Sequence, residues 1–456
     1  MNRKIEIFII ITNYNKEVYI TNNHMQMDLK QIMQNQPIIN IGMIGHVSNG
    51  KSSLVKSLTG IETQKFSNEK ERNITIKLGY ANAKIYKCDF CNDDTYVSTP
   101  SNVYNKKCSK CDGEMDLVTH VSFVDSPGHI QFMSTMISGK CIMDTTILVE
   151  ALNNSVLPAP QTLEHLKAIE LGNITNSIIC FNKCDLVEKR IALANINTIR
   201  TEFESTSASK AQMIPVSATF DINIDILCKH IANIQIPQRD LSKELRMIIV
   251  RSFDVNRPGT EILKLCGGVI GGSVVQGIIK VGDKIQLTPG YVKLKDIINE
   301  PKKKRQIKTW EYKPLKATVV SIKSENNTLE FAIAGGLIGV QLDIDPALTI
   351  NDHLVGNVLS HCNNPNVNVF EAVGIKYIKK DASAELVKGD IVKININAYN
   401  TNGTIAKAFK ENDELMVAVV LDKPISAYIG DSVTICFNER IYGNGTIIEG
   451  IFSDVF

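Results

Sequence analysis

The sequence has no run of roughly 18 uncharged apolar residues, which excludes a membrane-spanning helix. It also lacks an excess of charge of either sign: 50 Lys and Arg stand against 48 Asp and Glu, for a formal net charge of +2. Bulk charge therefore neither demands nor rules out a nucleic-acid partner, and any RNA-binding surface must be local. Neither an internal repeat nor a long low-complexity tract is present, so the chain does not read as a stacked-repeat array. Eleven cysteines in 456 residues do not make a disulfide scaffold. Those paired at a spacing of two residues point instead to metal or redox chemistry in a reducing compartment. Arg3 and Lys4 ahead of Ile5–Ile11 have the outline of a secretion signal, but Glu6 interrupts it and no small-residue cleavage site follows. A soluble, cytoplasmic protein is expected.

What is present is length enough for two to four cores, with 44% hydrophobic residues to fill them. Residues 1–36, rich in Asn, Gln, Met and Ile without a sustained period, read as a poorly packed extension. From Pro37 to about residue 240, short apolar runs alternate with stretches of helical spacing, as in a sheet wound with helices. The runs are Ile38–Ile44, His120–Val124, Thr145–Val149, Ser177–Phe181 and Met213–Val216, and the expected helices include Lys51–Thr59, Gln161–Leu171 and Leu186–Phe203. After Pro237 the texture changes to short Val- and Ile-rich strands separated by Gly, Asn, Asp and Pro turns. Two β-barrels are expected, over 244–362 and 365–456.

Gly45-His46-Val47-Ser48-Asn49-Gly50-Lys51-Ser52 fits G-x-x-x-x-G-K-[ST] and lies between an apolar run and a helical stretch, the context that pattern requires. Glycines let backbone N–H groups wrap phosphates, so the cradle is expected from Val47 through Ser53, with Lys51 on the β/γ charge and the Ser52 hydroxyl on Mg²⁺. Asp125-Ser126-Pro127-Gly128-His129 follows a predicted strand, which places the Asp125 carboxylate at a strand's C-terminal edge, where it would hold Mg²⁺ through water. Asp-Ser-Pro-Gly is also good turn chemistry, and its order after the phosphate loop favours the metal role. Asn182-Lys183-Cys184-Asp185 ends another strand. Its Asp185 can accept from guanine's N1–H and exocyclic amine, a donor pair that adenine lacks. Ser217-Ala218 after the next strand supports the base. Together these loops select GTP.

Cys88-x₂-Cys91-x₁₆-Cys108-x₂-Cys111 has the spacing of a four-thiolate zinc site. Zinc with four thiolates carries two net negative charges, which Lys84, Lys87, Lys106, Lys107 and Lys110 would offset. A closed site leaves no position for a reacting water, so a structural or docking insert over about 84–116 is expected. A thioredoxin-like redox pair is the rival reading, but no βαβ context frames either pair.

Between the phosphate loop and Asp125, Glu71-Arg72-Asn73-Ile74-Thr75-Ile76-Lys77-Leu78-Gly79-Tyr80 resembles the first switch segment of the gamma subunits of eukaryotic and archaeal translation initiation factor 2. The resemblance covers about 37–456 and includes the Cys₄ insert, Pro160-Gln161-Thr162-x-Glu164-His165-Leu166, Arg251-Ser252-Phe253-Asp254-Val255-Asn256 and Gly335-Gly336-Leu337-Ile338-Gly339-Val340. It implies an α/β P-loop GTPase domain carrying a zinc knuckle, then two β-barrels. It also implies that Thr75 completes the Mg²⁺ shell with GTP bound, that His129 positions the attacking water, and that Val47 and Ile74 flank this histidine. Initiator methionyl-tRNA, alpha and beta partner subunits, the small ribosomal subunit, and GTPase-activating and exchange factors are the implied partners.

Asn49 stands where relatives commonly carry histidine, Ser126 where they carry cysteine and Ile130 where an acid is usual. Ordering of residues 71–80 by Thr75 would present Tyr80 beside a groove between the first two domains, where its ring could stack on a terminal adenine. A packed core tyrosine is the competing reading. The basic run Lys302-Lys303-Lys304-Arg305, continued by Lys308, Lys313 and Lys316, reads as a solvated loop rather than a tRNA contact. Elongation-type GTPases, including selenocysteine-specific ones, and the GTPase subunit of a sulfate-activating enzyme share the three-domain plan but are not expected to carry the Cys₄ insert.

Overall fold

The computed structural model describes residues 9–11, 18–22, 25–27, 29–64, 69, 71, 75–91, 95–172, 174, 176–300, 305–362, 364–379, 385–412, 414–437 and 440–450. Ile74 and the lysines Lys302, Lys303 and Lys304 lie outside these residues.

Three short strands, β1 (Ile9–Ile11), β2 (Val18–Asn22) and β3 (Met25–Met27), form an antiparallel meander. Helix α1 (Leu29–Asn35) follows, and here the expectation of poor packing fails. Leu29, Ile32 and Met33 are buried. Gln36 ties this segment to distant chain, donating to the carbonyls of Ile333 at 2.8 Å and Gly335 at 3.0 Å and accepting from the Ile333 N–H at 3.1 Å. Three apolar side chains at helical spacing suffice to dock one short helix.

The apolar runs then build a seven-stranded sheet from β4 (Ile39–Ile44), β5 (Gly79–Cys88), β6 (Thr95–Pro100), β7 (Asp116–Asp125), β8 (Thr145–Ala151), β9 (Ser177–Asn182) and β10 (Gln212–Pro215), in the order β10-β9-β8-β4-β7-β5-β6. The five strands from β10 to β7 are parallel, and β4, β8 and β9 are buried almost throughout because both faces of the sheet are covered. Helices α2 (Lys51–Thr59) and α6 (Ile224–Ala232) pack on one face through Leu54, Leu58, Leu227 and Ile231. Helices α3 (Met133–Lys140), α4 (Pro160–Glu170) and α5 (Lys189–Phe203) cover the other through Met136, Ile137, Leu166, Ile169, Ile199 and Phe203. Helix α5 starts three residues later than its pattern predicts, because Cys184–Leu186 forms a separate 3₁₀ turn.

Strands β5 and β6 run antiparallel to their neighbours and were not legible as strands. Strand β5 reads as polar and irregular in sequence, yet Asn82 and Lys84 within it are buried. Asn82 accepts from Ser122 Oγ and donates to Ser324 Oγ. Lys84 donates to the Val103 carbonyl at 2.8 Å and lies 4.0 Å from the centroid of the Tyr104 ring. This corrects its expected role: the Lys84 ammonium is engaged there rather than offsetting thiolate charge, and burial lowers its pKa to about 8.

Two barrels follow. Strands β11 (Arg246–Phe253), β12 (Val269–Gln276), β13 (Ile278–Lys280), β14 (Lys284–Glu300), β15 (Arg305–Ser324), β16 (Asn327–Leu329), β17 (Phe331–Ile333), β18 (Ile338–Leu342) and β19 (Val358–His361) make up the first region. The ring β14-β19-β11-β12-β18-β15 is closed by the β14–β15 pairing, β16 extends β15, and β13 pairs with β17. Strands β20 (Asn368–Lys379), β21 (Ile391–Ile396), β22 (Tyr399–Glu411), β23 (Glu414–Ala427), β24 (Ser432–Phe437) and β25 (Arg440–Gly450) form the second closed barrel. Alternating inward residues fill each core, such as Met247, Ile249 and Val340 in the first and Val373, Ile375 and Val419 in the second. Arg246 joins the barrels through Asp431 at 2.6 Å, and Lys140 joins the α/β unit to the second barrel through Thr434 Oγ1 at 3.0 Å.

Candidate functional site

The phosphate-loop motif occupies the turn from β4 into α2, at the C-terminal edge of the parallel strands. Gly45 (φ 128°) and Gly50 (φ 91°) take backbone conformations closed to L side chains. A Cβ at Gly45 would meet the Val149 carbonyl oxygen at 2.2 Å, and one at Gly50 would meet Asn182 Nδ2 at 2.2 Å. The Lys51 ammonium is buried and donates to the carbonyls of Gly45 (2.9 Å) and His46 (2.8 Å). Burial lowers its pKa to about 8, and the charges of Asp125 and Glu150 oppose that shift. Gly128 packs directly over this ammonium: a Cβ there would lie 2.4 Å from Lys51 Nζ.

The three residues assigned to Mg²⁺ come together from three loops. Ser52 Oγ donates to Asp125 Oδ2 at 2.7 Å and lies 3.1 Å from Thr75 Oγ1. Two hydroxyls and a carboxylate are the hard oxygen donors that Mg²⁺ takes. Asp125 Oδ1 is buried without a hydrogen-bond partner among the described residues, so an oxygen is left to serve a cation or its water. Burial raises the Asp125 pKa, against the hydroxyls of Ser52 and Thr63 and the charge of Lys51.

Two residues here escaped the sequence reading. Thr63 Oγ1 donates to Asp125 Oδ2 at 2.6 Å, and buried Glu69 accepts the N–H groups of Ile76 (3.0 Å) and Lys77 (3.1 Å), holding the segment that carries Thr75. No motif spacing marks either one.

Asn182 ties the base loop to its neighbours. Its Nδ2 donates to the Asn49 carbonyl at 2.9 Å, and its Oδ1 accepts from the Ala218 N–H at 3.1 Å, so the phosphate, base and Ser217–Ala218 loops are cross-linked at one residue. Lys183 adopts φ 60°, and Asp185 emerges exposed on the 3₁₀ turn beyond it. Val47, Ser48 and Ser53 are at least partly exposed on the same edge, whereas the Asn49 side chain turns inward. His129 is partly exposed beside the loop, its Nδ1 accepting from the Gln131 N–H at 3.3 Å. His46 lies near it, with a pKa lowered by burial and by the charges of Lys51 and His129. A further histidine, His165, accepts from the Gly45 N–H at 2.9 Å and so fixes the start of the phosphate loop from α4.

Residues 36–238 match the family described as the elongation factor Tu GTP binding domain. Over 445 residues the chain is 39% identical to eukaryotic translation initiation factor 2 subunit 3 of Drosophila melanogaster, covering 92% of this chain and 90% of that protein. It is also 39% identical to the gamma subunits of eukaryotic translation initiation factor 2 from Encephalitozoon cuniculi (93% of this chain, 95% of that protein) and Schizosaccharomyces pombe (92% and 95%). This chain belongs to the gamma-subunit family of translation initiation factor 2. It is therefore a translational GTPase of initiation.

The fold is similar to that of a bacterial selenocysteine-specific elongation factor, EF-Sec, with a TM-score of 0.67 at 21% identity, over 92% of this chain and 60% of that one. It is likewise similar to the elongation factor SelB from Methanococcus maripaludis in complex with a GTP analogue, with a TM-score of 0.66 at 20% identity, over 91% and 80%. No helix among the described residues is long and apolar enough to cross a membrane.

The cysteine-bearing insert leaves β5 at Cys88. The sulfur atoms of Cys88, Cys91, Cys108 and Cys111 all lie within 4.8 Å of one another, with separations of 3.5 Å and 3.6 Å between neighbours. Four thiolates about 2.3 Å from a tetrahedral zinc would stand ~3.8 Å apart, so the donor set and its size fit zinc. Backbone N–H groups of Lys110 and Cys111 lower the Cys108 pKa, whereas hydrogen bonding among the sulfurs raises that of Cys91. Cys108→Ser should release one zinc ion per chain and loosen residues 84–116 while nucleotide affinity stays at the wild-type value. Metal analysis of protein purified without chelators, together with nucleotide titration, checks this.

Proposed function

We propose that this chain binds initiator methionyl-tRNA in its GTP-bound state and delivers it to the small ribosomal subunit, with GTP hydrolysis as the release switch. Val47–Ser53, Asp125, Gly128, Asn182, Lys183, Asp185, Ser217 and Ala218 hold GTP. Ser52, Thr75 and Asp125 hold Mg²⁺, which when bound neutralises phosphate charge, and Cys88, Cys91, Cys108 and Cys111 hold zinc. The relatives are named as subunits of initiation factor 2, which supports assembly with alpha and beta subunits.

The observation that carries the tRNA reading is a cavity of about 690 Å³ between β5 and the first barrel, lined by Tyr80, Val250, Arg251, Phe253 and Leu337 among others. The switch segment is clasped to this barrel at the cavity's edge. Lys77 pairs with Asp352 at 2.5 Å, Arg251 pairs with the same carboxylate at 3.0 Å, and Arg251 also donates to the Leu78 carbonyl at 3.2 Å. An element that carries both Thr75 and the cavity wall couples nucleotide state to the shape of the cavity.

Tyr80 packs against the core beneath it and also lines the cavity, so the two readings of this residue are not exclusive. Stacking of a base on an aromatic ring is worth ~1–3 kcal/mol, so Tyr80→Ala should weaken methionyl-tRNA binding by roughly 5- to 150-fold while sparing GTP affinity. The measurement uses a non-hydrolysable GTP analogue and both initiator and elongator methionyl-tRNA. Equal affinity for wild type and variant would remove Tyr80 from the tRNA site, and equal affinity for both tRNAs would count against an initiation-specific carrier.

A further inference from the structure

Beneath the phosphate loop lies a buried carboxylate that belongs to none of the nucleotide motifs. Glu150 sits near the end of β8 with no exposed surface. Its Oε1 accepts from Asn154 Nδ2 at 2.9 Å and from the Ala159 N–H at 3.1 Å, while its Oε2 accepts from Thr162 Oγ1 at 2.5 Å and from Asn49 Nδ2 at 3.2 Å. All four partners donate. An ionised carboxylate can accept from every one of them, whereas a protonated acid or an amide would turn a donor towards a donor. Burial raises its pKa, and these hydrogen bonds work against that shift. The carboxylate also faces the first turn of α4, whose dipole stabilises an anion.

Asn49 is the link from this carboxylate to the nucleotide loop. Its Nδ2 donates to the Val149 carbonyl at 2.8 Å as well, its Oδ1 accepts from Asn154 at 3.0 Å, and its backbone carbonyl receives the Asn182 side chain. The residue is fully buried, so its side chain anchors the loop instead of meeting a phosphate. With His165 holding Gly45 from the same helix, the loop is fixed at both ends by groups on β8 and α4.

We infer that Glu150 is a positioning residue for guanine nucleotide: through Asn49 it sets the shape of the phosphate loop, and the lifetime of bound nucleotide depends on it. The inference rests on nucleotide binding at this loop. Glu150 makes no hydrogen bond to Asp125 or His129, and its charge also supports the Lys51 ammonium.

The test uses the full chain and a fluorescent guanine nucleotide. Glu150→Gln places an amide N–H where two of the four donors now point. Dissociation of GDP and GTP should become roughly tenfold faster, the size expected for one lost charge-assisted hydrogen bond. Thr162→Val, which removes one donor outside the phosphate loop, should shift dissociation in the same direction. The double variant should show less than the summed effect, since both substitutions break one network.

A merely structural carboxylate would lower the melting temperature and leave the dissociation rate of the folded protein unchanged. Unchanged dissociation in both variants overturns the proposal. If Glu150→Gln does not fold, Thr162→Val decides by itself on the same criterion. Lys51→Ala provides the control: loss of binding there, beside normal dissociation in the other variants, sinks the Glu150 role and leaves the nucleotide site standing.

Discussion

Lys51→Ala should leave GTP binding undetectable by calorimetry. The loop wraps around one ammonium, which is buried and held by the carbonyls of Gly45 and His46, with Gly128 directly above it. Its charge is maintained against burial by Asp125 and Glu150. Removing it leaves these buried carboxylates short of a cation and the β/γ-phosphate charge uncompensated. Breaking a buried charge pair costs about 3–5 kcal/mol, which corresponds to ~10²- to 10⁴-fold in affinity. GTP affinity equal to wild type would refute the assignment of this loop to the phosphates.

His129→Ala should slow GTP hydrolysis on the order of 10²-fold, including any hydrolysis stimulated by a partner, while GTP affinity stays near wild type. The histidine is placed by the turn that follows Asp125, where Gly128 allows the chain to cross over Lys51 and His129 then caps the short 3₁₀ turn Ile130–Phe132. Its ring is partly exposed and, among the described residues, makes the Gln131 contact and a tilted approach to Phe132, with ring centroids 6.1 Å apart. It therefore has room to orient a water. A contribution made only in the transition state lowers the rate and spares ground-state binding. A single-turnover rate equal to wild type would leave His129 as a turn residue.

The nucleotide motifs were legible because each is one continuous stretch whose backbone and side chains act together. Gly45–Ser52 needs glycines at fixed offsets from a lysine and a hydroxyl, and the structure explains both glycines by positive φ and close backbone approach. The two cysteine pairs were legible for a similar reason, since two thiols three residues apart on a short turn converge on one point. The parallel strands announced themselves as apolar runs because both faces of the sheet are covered.

Other features carried no such mark. Strands β5 and β6 include buried polar residues whose partners lie on distant elements, so their sequence lacks the alternation of a half-buried strand. Helix α1 reads as part of an unpacked extension, because its buried residues pack into the distant cores of the sheet and the first barrel.

By itself the sequence determined the order of loops around the nucleotide, the thiolate set, the change from α/β to β texture, and the family resemblance. All of these are encoded in local spacing. Only the tertiary structure decided which side chains support those loops. Thr63 meets Asp125 across 62 residues of chain, Asn49 meets Glu150 across 101, and His165 meets Gly45 across 120. Contacts of this kind depend on where the sheet brings its strand ends together. A hydrogen bond needs its partners within about 3 Å in space and sets no requirement on their separation along the chain.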